Sequence, residues 1–138
     1  MLRFPLAALL ILAPVPATAA APDVTGLWLT DDGKGVVEVE PCGRNMCGRI
    51  VRVLDRRPGV PTTDVENPDP ARRSRPILGL QVLSGFKPGT NEWKDGKAYD
   101  PKKGSSYNST LRLNRDGSLR ITGCVLFVCQ SVRWTRTR

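Results

Sequence analysis

The chain of 138 residues contains no histidine, and this absence bears on every kind of chemistry that the protein could perform. Histidine is the most frequent general base, a frequent metal ligand and a member of most nucleophilic triads. A cysteine nucleophile would therefore lack its usual base. Carboxylates such as Asp69 and Asp100 suit glycoside hydrolysis when they face each other across a sugar, but nothing in the sequence places these two together. We therefore assign no catalytic residue and expect a protein that is not an enzyme.

A short acidic stretch, containing Asp64, Glu66 and Asp69, raises the question of a calcium site. It lacks the turn glycine and the final bidentate glutamate of an EF-hand loop, and Pro68 interrupts it. Asn67 and Asp69 each precede a proline, where their side chains commonly bond their own backbone in turns. We expect turn structure here, and we predict no metal and no other cofactor.

The four cysteines, Cys42, Cys47, Cys124 and Cys129, form two pairs with the same C-x4-C spacing. Four cysteines allow three connectivities. Two local bridges fit best, because each pair would close a four-residue loop between strands whose facing residues lie within disulfide reach. The alternative, a zinc site, is typical of reducing compartments and of shorter cysteine spacings. We therefore predict two hairpin disulfides.

Three arginines follow the acidic stretch, at positions 72, 73 and 75. A guanidinium group matches carboxylate and phosphate geometry, so these residues could hold an anionic ligand or pair with the neighbouring carboxylates. We expect internal pairing for Arg72 and Arg73. Arg75 begins an Arg-Pro motif that leads into an apolar strand, and a partly buried arginine there needs a carboxylate partner or a ligand. Arg75 is therefore a candidate ligand-binding residue.

The other candidate ligand-binding residues are Trp93, Tyr99, Asp100 and Tyr107. Turns predicted at Asp95-Gly96 and at residues 101–104 would bring them together at one end of the strands, where small ligands commonly bind. Amphipathic rings in such a place can sandwich a sugar or a lipid group. The alternative is a structural role, with the aromatic rings in the core and Asp100 fixing the turn before Pro101.

The first 20 residues are typical of a signal peptide. Arg3 is followed by an apolar run from Leu6 to Ala13 and by an A-x-A cleavage site at residues 17–19. The run is shorter than the roughly 20 apolar residues of a membrane-spanning helix. We therefore predict a cleaved leader, export to the periplasm, no membrane span, and one domain over residues 21–138, a length that suits a single core.

The formal net charge of +8 favours anionic partners, such as lipid headgroups, lipopolysaccharide, peptidoglycan carboxylates or an acidic protein. The arginines are scattered rather than interleaved with exposed aromatic residues, so we predict no nucleic-acid partner. The oligomeric state stays open.

The elements that must position these residues are short strands, since turn residues arrive at short intervals and helix-forming runs are nearly absent. Strands are predicted at about Thr25–Thr30, Val36–Glu40, Arg49–Leu54, Ile77–Phe86, Lys97–Tyr99, Ser106–Leu113, Ser118–Gly123 and Gln130–Arg136. Eight antiparallel strands in so small a chain form a sandwich or close into a barrel, and closure removes exposed edges. We predict an all-β fold, a small up-and-down β-barrel. The long irregular stretch from Asp55 to Pro76 is either functional or disordered.

Motifs along the whole predicted domain resemble those of known families. Gly26-Leu27-Trp28 resembles the G-x-W signature of lipocalin-like barrels, in which the tryptophan plugs the barrel floor and an arginine near the last strand covers it. Arg136, two residues after Trp134, is the candidate for that covering role. The ordered set of motifs is similar to a family of exported bacterial proteins catalogued as domain of unknown function 2147. These motifs are Gly26-Leu27-Trp28, Cys47-Gly48-Arg49-Ile50-Val51, Asn67-Pro68-Asp69-Pro70, Arg75-Pro76-Ile77-Leu78-Gly79-Leu80, Trp93-x-x-Gly96, Tyr99-Asp100-Pro101-x-x-Gly104-x-x-Tyr107 and Trp134-Thr135-Arg136. The resemblance implies a lipocalin-like barrel with a periplasmic address and no assigned activity.

Together these features predict a periplasmic barrel that binds a small amphipathic or anionic ligand, or a component of the cell envelope. The first alternative is a structural or protein-interaction barrel with an interior filled by side chains, since small barrels leave little room inside. A hydrolase that uses carboxylates is the second. A cavity at the barrel mouth would favour ligand binding, and a solid interior would exclude it.

Overall fold

Eight strands, joined in chain order, close into an antiparallel up-and-down barrel in the computed structural model, which describes residues 10–16 and 19–138. The strands are β1 (Gly26–Leu29), β2 (Gly35–Cys42), β3 (Asn45–Val53), β4 (Gln81–Gly89), β5 (Glu92–Asp100), β6 (Ser105–Leu113), β7 (Leu119–Val125) and β8 (Val128–Arg136). The last strand returns to the first through the pairs Trp28↔Arg136 and Leu29↔Thr135. The predicted all-β, eight-stranded, up-and-down barrel is therefore confirmed.

The barrel has two ends with different connections. Turns at residues 30–34, 101–104 and 126–127 lie at one end, together with residues 54–80, which we call the mouth loop. Its regular structure is one 3-10 turn, Pro70–Arg72. The other end, the floor, carries the connections at residues 43–44, 90–91 and 114–118. Within the described part of the chain, no helix is long and apolar enough to cross a membrane.

The predicted signal peptide covers residues 1–20, and positions 1–9 and 17–18 of it lie outside the described residues. These positions include two residues of the predicted cleavage site. Cleavage, export and the domain boundary at residue 21 therefore stay predictions.

The predicted turn at Asp95-Gly96 is wrong, because both residues lie inside β5. The β4–β5 turn is instead at residues 90–91, where Asn91 has φ 55°. Asp95 also has a positive φ, 57°, at a register shift between Trp93 and Gly96. An Asp-Gly pair tolerates this conformation in a bulge as well as in a turn. A Cβ at position 96 would overlap the ring of Phe86, so the glycine lets the ring pack against the strand.

The strand predicted to begin at Ile77 begins at Gln81 instead. Ile77 donates its backbone N–H to Thr62 O within the mouth loop, 2.9 Å away, and Gly79 N donates to Ile50 O at 2.7 Å. Gly79 has φ 87°, which ends any continuous strand at that point. Residues 77–80 are therefore the final part of the mouth loop.

Both predicted disulfides are confirmed. Cys42–Cys47 spans the β2–β3 turn at the floor end, and Cys124–Cys129 spans the β7–β8 turn at the mouth end. Each bridge joins the two strands of one hairpin, as the equal spacing of the two pairs indicated. In the chain-entropy account, a bridge closing so short a loop contributes roughly 2 kcal/mol to stability.

Trp28 closes the floor of the barrel and is completely buried. Its indole Nε1–H donates to Val24 O at 2.9 Å, and the Arg136 guanidinium lies over its ring, 4.3 Å from the centroid. Arg136 Nη1 also donates to Thr25 O at 2.9 Å, and Nη2 donates to Asp23 O at 3.2 Å. One arginine thus joins the last strand to the first strand and to the residues before it, as the G-x-W resemblance implied.

Gly26 makes this closure sterically feasible. Its φ is 129°, and a Cβ there would lie 3.0 Å from Nη1 of Arg136. A larger residue would strain the backbone and crowd the guanidinium. Above the floor, the lower interior is filled by large buried side chains, among them Phe86, Leu111 and Leu119.

We expect Arg136→Ala to lower the free energy of unfolding by roughly 2–4 kcal/mol, because it removes a cation–π contact and two charge-assisted hydrogen bonds at the barrel seam. Arg136→Lys should recover part of the loss, since a lysine keeps the charge but not the planar fork. Urea denaturation measures both changes.

Arg138→Ala is the matched control, because Arg138 is an exposed arginine just beyond the end of β8. Equal stabilities for Arg136→Ala and Arg138→Ala would show that the closure of the seam does not depend on the guanidinium.

Candidate functional site

A cavity of about 950 Å³ lies in the upper half of the barrel and opens at the mouth end. Its wall is largely apolar. The apolar side chains that line it from the strands include Val37, Ile50, Val82, Leu83, Ala98, Ile121, Val132 and Trp134. The interior is therefore not filled throughout, so the filled interior expected for a structural or protein-interaction barrel is wrong.

Small residues facing inward on neighbouring strands make this space. Ala98 on β5, Ser109 on β6 and Gly123 on β7 all line the cavity, and Ser109 pairs directly with Gly123 across the two strands. The next pair toward the floor on β6 and β7 is Leu111 with Ile121, and both side chains are large and buried. The change from this large pair to the small pair of Ser109 and Gly123 leaves space in the upper half of the barrel.

The mouth loop forms part of the cavity wall and is fixed by a buried carboxylate. Asp64 is completely buried. Its Oδ1 accepts from the Tyr99 hydroxyl at 2.6 Å, and its Oδ2 accepts from Asn67 Nδ2 at 2.8 Å and from Arg75 Nη2 at 3.0 Å. Tyr99 belongs to β5, so this cluster ties the loop to the barrel.

These contacts set the ionisation of the two central groups. Burial raises the pKa of Asp64, but the hydrogen bonds from Tyr99, Asn67 and Arg75 outweigh that effect and hold the pKa below its ordinary value. Burial, reinforced by the bond to the Asp64 carboxylate, raises the pKa of Tyr99 to about 12. Asp64 is therefore ionised at neutral pH and Tyr99 is a neutral donor.

A second contact seats the loop on the β5–β6 turn. Gly104 has φ 65°, and a Cβ at this position would overlap the backbone carbonyl of Glu66. A bridge between Thr63 and Pro76 also draws the two sides of the loop together. The long stretch that sequence alone left as functional or disordered is thus ordered, and it shapes the opening of the cavity.

Charged residues surround the opening. Asp32 pairs with Lys102 across it, joining the β1–β2 turn to the β5–β6 turn. Asp55 pairs with Arg57 at 2.7 Å and with Lys34 at 3.7 Å, and the Arg57 guanidinium holds the pKa of Asp55 well below its ordinary range. Two of the rim carboxylates are therefore already neutralised by cations.

Two cations at the rim have no such partner. Arg52 and Lys103 line the cavity, and within the described residues neither forms an ion pair. Arg52 lies near the mouth end of β3, whereas the rim carboxylates Asp31 and Glu66 lie in the connections above the strands. Arg52 is exposed and pairs with Val36 beside a register shift between β2 and β3. Sequence reasoning missed it, because the sequence does not show that this shift occurs.

The candidate ligand-binding residues do not all meet at the mouth. Tyr99, Asp100 and Tyr107 line the cavity. Arg75 does not line it, and instead binds Asp64, the internal pairing that was the alternative to a ligand. Its Nε is buried without a hydrogen-bond partner among the described residues.

Trp93 lies at the opposite end of the barrel, so its predicted place at the mouth is wrong. Its Nε1–H donates to Pro22 O at 2.8 Å, and it pairs with Leu111 near the floor. The expected placement depended on a turn at Asp95-Gly96 that the strand does not make. Trp134, expected with Arg136 as a structural residue, is 8% exposed and forms part of the cavity wall.

The two carboxylates considered for hydrolysis have separate local roles. Asp69 caps the 3-10 turn, accepting from Ala71 N at 3.0 Å, and pairs with Arg72. Asp100 Oδ1 accepts from Lys102 N at 3.0 Å and so fixes the β5–β6 turn. Asp100 lines the cavity, and Asp69 does not. Among the described residues no group of three or more His, Cys, Asp or Glu side chains could hold a metal ion.

Comparisons with known proteins agree with the barrel. The family model described as an uncharacterized protein conserved in bacteria (DUF2147) matches residues 26–136. A solved structure described as protein HP1028 from the human pathogen Helicobacter pylori, which belongs to the lipocalin family, superposes with a TM-score of 0.72. The two chains share 23% identity over 84% of each, a likeness that shows the fold. No curated protein matches the chain.

We expect Tyr99→Phe to destabilise the mouth loop, because it leaves a buried carboxylate oxygen of Asp64 without its donor, at a cost of about 1–3 kcal/mol. Hydrogen exchange should accelerate at the amides of Asp64 and Asn67, which bond within the loop. Tyr107→Phe is the matched control, since Tyr107 lines the cavity but does not donate to Asp64. Equal acceleration in both variants would contradict the proposed role of Tyr99.

The ionisation of Tyr99 gives a second prediction. Because its pKa in the folded protein is about 12 against an ordinary 10.0, its contribution to stability is complete below pH 10 and is lost as the pH rises through 12. Titration of the ring carbons by NMR measures this value directly. In Asp64→Asn we expect the pKa of Tyr99 to fall only part of the way to 10, since burial is the larger cause. An unchanged value would show that the two groups are not coupled.

Proposed function

The chain belongs to the DUF2147 family of bacterial proteins, and from the open cavity of its barrel we propose that it binds a small amphipathic ligand without transforming it chemically. The cavity carries this proposal. Its volume of about 950 Å³ lies within the range of roughly 300–1,000 Å³ that is common for small-molecule sites, and its mainly apolar wall with a few polar groups is typical of them.

The wall and the rim favour different parts of such a ligand. Apolar side chains such as Ile50, Ile121 and Val132 would cover a hydrocarbon or ring system, because burying apolar surface is favourable by about 25 cal/mol per Å². Arg52 and Lys103 at the rim form no ion pair with a carboxylate of the described residues, and they would meet an anionic group. We infer that the ligand places its apolar part inside the barrel and its anionic end at the opening.

The likeness to a structure described as a lipocalin supports a binding role rather than a catalytic one. The sequence contains no histidine, the side chain that most often acts as a general base. Asp64 and Tyr99, whose pKa values are shifted, form a hydrogen bond with each other, and Asp64 also accepts hydrogen bonds from Asn67 and Arg75 of the mouth loop. Their role in the proposal is to hold the wall of a binding site.

We also propose that the protein works in the periplasm. The apolar leader with its A-x-A site supports this proposal, and the pairing of all four cysteines in hairpin disulfides is typical of chains that fold in an oxidising compartment. Mass spectrometry of the protein isolated from its own cells tests whether the leader is cleaved during export. The expected mass lacks about 20 residues and four hydrogens. Retention of the complete leader would contradict export by cleavage.

The binding proposal predicts that Ala98→Trp lowers the affinity for an apolar fluorescent probe, phenylnaphthylamine, by at least about tenfold, because the indole would occupy the cavity. Lys97→Trp is the matched control, since position 97 is exposed on the same strand. Fluorescence titration measures both affinities, and thermal unfolding shows whether each variant is folded.

Native mass spectrometry of the purified wild-type protein is an independent measurement that does not depend on how Ala98→Trp folds. Saturable binding of one probe molecule per chain is expected. Binding that is unsaturable, or equal in the two folded variants, would exclude the cavity as the site.

The preference for an anionic end has its own test. Anilinonaphthalene sulfonate is close in shape to phenylnaphthylamine but carries a negative charge. We expect Arg52→Gln to weaken binding of the sulfonate by roughly fivefold and to leave the neutral probe nearly unchanged. Arg49→Gln is the control, because Arg49 is an arginine of the same strand that pairs with Glu40 and does not line the cavity. Equal effects on the two probes would contradict charge recognition by Arg52.

A further inference from the structure

The tip of the β7–β8 hairpin exposes four consecutive apolar residues, Val125, Leu126, Phe127 and Val128, which we call the apolar tip. Phe127 is 100% exposed, Leu126 89%, Val128 69% and Val125 53%. We propose that the apolar tip inserts into a lipid bilayer and docks the barrel with its mouth facing the membrane. This inference concerns a surface of the molecule and goes beyond the proposed ligand-binding function.

The tip is exposed but is cross-linked at its base. The Cys124–Cys129 disulfide closes the hairpin directly below it, and Val125 pairs with Val128 across the strands. Leu126 has φ 53°, a conformation that glycine or asparagine adopts more readily than leucine. A leucine at this position supplies apolar surface where a polar turn residue would suit the backbone better. Because the hairpin is already ordered, little further conformational entropy is lost when the tip binds.

The shape of the tip fits a bilayer better than a protein partner. A stable protein interface buries roughly 800 Å² on each side and has a polar rim. The apolar tip is a two-residue turn with one residue of strand on either side, and all four of its side chains are apolar. Such a projection is too small for that kind of interface, whereas amphipathic elements insert apolar groups about 5–10 Å into the boundary between headgroups and acyl chains.

The charges around the tip suit a lipid surface. The hairpin residues 123–130 carry no charged side chain, so no ion has to enter the hydrocarbon with them. The β5–β6 turn lies beside the tip, since β6 starts at Ser105 and pairs with β7 through Asn108 and Cys124. Lys102 of this turn pairs with Asp32, whereas Lys103 is exposed and forms no ion pair among the described residues. A lysine next to an inserted apolar group is placed to contact anionic headgroups.

The apolar tip is also continuous with the cavity. Val125 and Val128 belong to the tip and line the opening, and Gln130 and then Val132 line the cavity further inward along β8. Insertion of the tip would therefore bring the opening of the cavity against the membrane surface. Apolar material leaving the bilayer would meet a mainly apolar path, with one uncharged polar side chain, along the hairpin into the barrel.

The test places a reporter at the tip itself, so that binding of the leader or of any other part of the chain does not produce the signal. Phe127→Trp in the complete chain is mixed with vesicles of phosphatidylethanolamine and phosphatidylglycerol. The emission spectrum of the wild-type chain, which contains three other tryptophans, is subtracted from that of the variant. We expect the emission of the introduced indole to shift to shorter wavelength and to be quenched by lipids brominated in the acyl chain. Arg115→Trp, at an exposed position of the β6–β7 turn at the floor end, is the matched control and should show neither change.

Two further variants measure what drives insertion. In the Phe127→Trp background, Leu126→Ser with Val128→Ser should weaken vesicle binding by roughly 100-fold, as reported by the same fluorescence change. Lys103→Gln should weaken binding by roughly fivefold on vesicles with phosphatidylglycerol and leave binding unchanged on vesicles of phosphatidylcholine alone.

Emission from the Phe127→Trp variant that stays that of an indole in water, on vesicles of either composition, would overturn the proposal. So would self-association of the wild-type chain in sedimentation velocity that is lost in the Leu126→Ser and Val128→Ser variant, because a second copy would then cover the tip. Failure of insertion would leave the ligand-binding proposal unaffected, since the naphthylamine probes report on the cavity without any membrane.

Discussion

The contact between Trp28 and Arg136 is the constraint on which the rest of the barrel depends. β1 has four residues and meets β8 through two residue pairs, so the backbone ladder alone makes a short seam. The guanidinium extends that seam by covering the Trp28 ring and by binding two backbone carbonyls before β1. Because the floor is closed in this way, the space inside the barrel communicates with solvent at the other end.

At the mouth end, order depends on one buried carboxylate. A loop of this length would ordinarily be mobile, but Asp64 gathers donors from its own loop and from β5 at a single point. Its burial is tolerated because every hydrogen bond that it accepts favours the ionised form. Strands thus form most of the cavity wall, and the mouth loop, fixed by Asp64, forms the remainder. The shape of the opening therefore depends on Asp64 staying ionised.

The fold could be predicted from sequence because its signals are local. Alternating apolar residues, turn residues and the two equal cysteine spacings each act over a few positions, and the G-x-W motif located the floor. The errors arose where one local signal has two outcomes. Asp95-Gly96 suits a bulge as well as a turn. Because a turn was predicted there, Trp93 was predicted at the wrong end of the barrel. The site depended on contacts distant in the chain. Tyr99 and Asp64 are 35 residues apart, and the hollow interior arises from Ala98, Ser109 and Gly123 on three different strands. No local sequence pattern indicates that small residues of three strands line the same part of the barrel interior.

If the barrel binds a ligand as proposed, the ion pair between Asp32 and Lys102 affects the rate of ligand exchange separately from the affinity. The two turns that it joins lie four strands apart in the closed sheet, so the pair acts as a crossbar over the opening. Suppose that the ion pair is formed both in the empty barrel and in the ligand-bound barrel. The need to break it then lowers the association and dissociation rate constants of the ligand by the same factor, and the dissociation constant is unchanged. The residence time of the ligand would then depend on these two exposed side chains as well as on the cavity wall, and it would vary with ionic strength, while the affinity would depend on the wall alone.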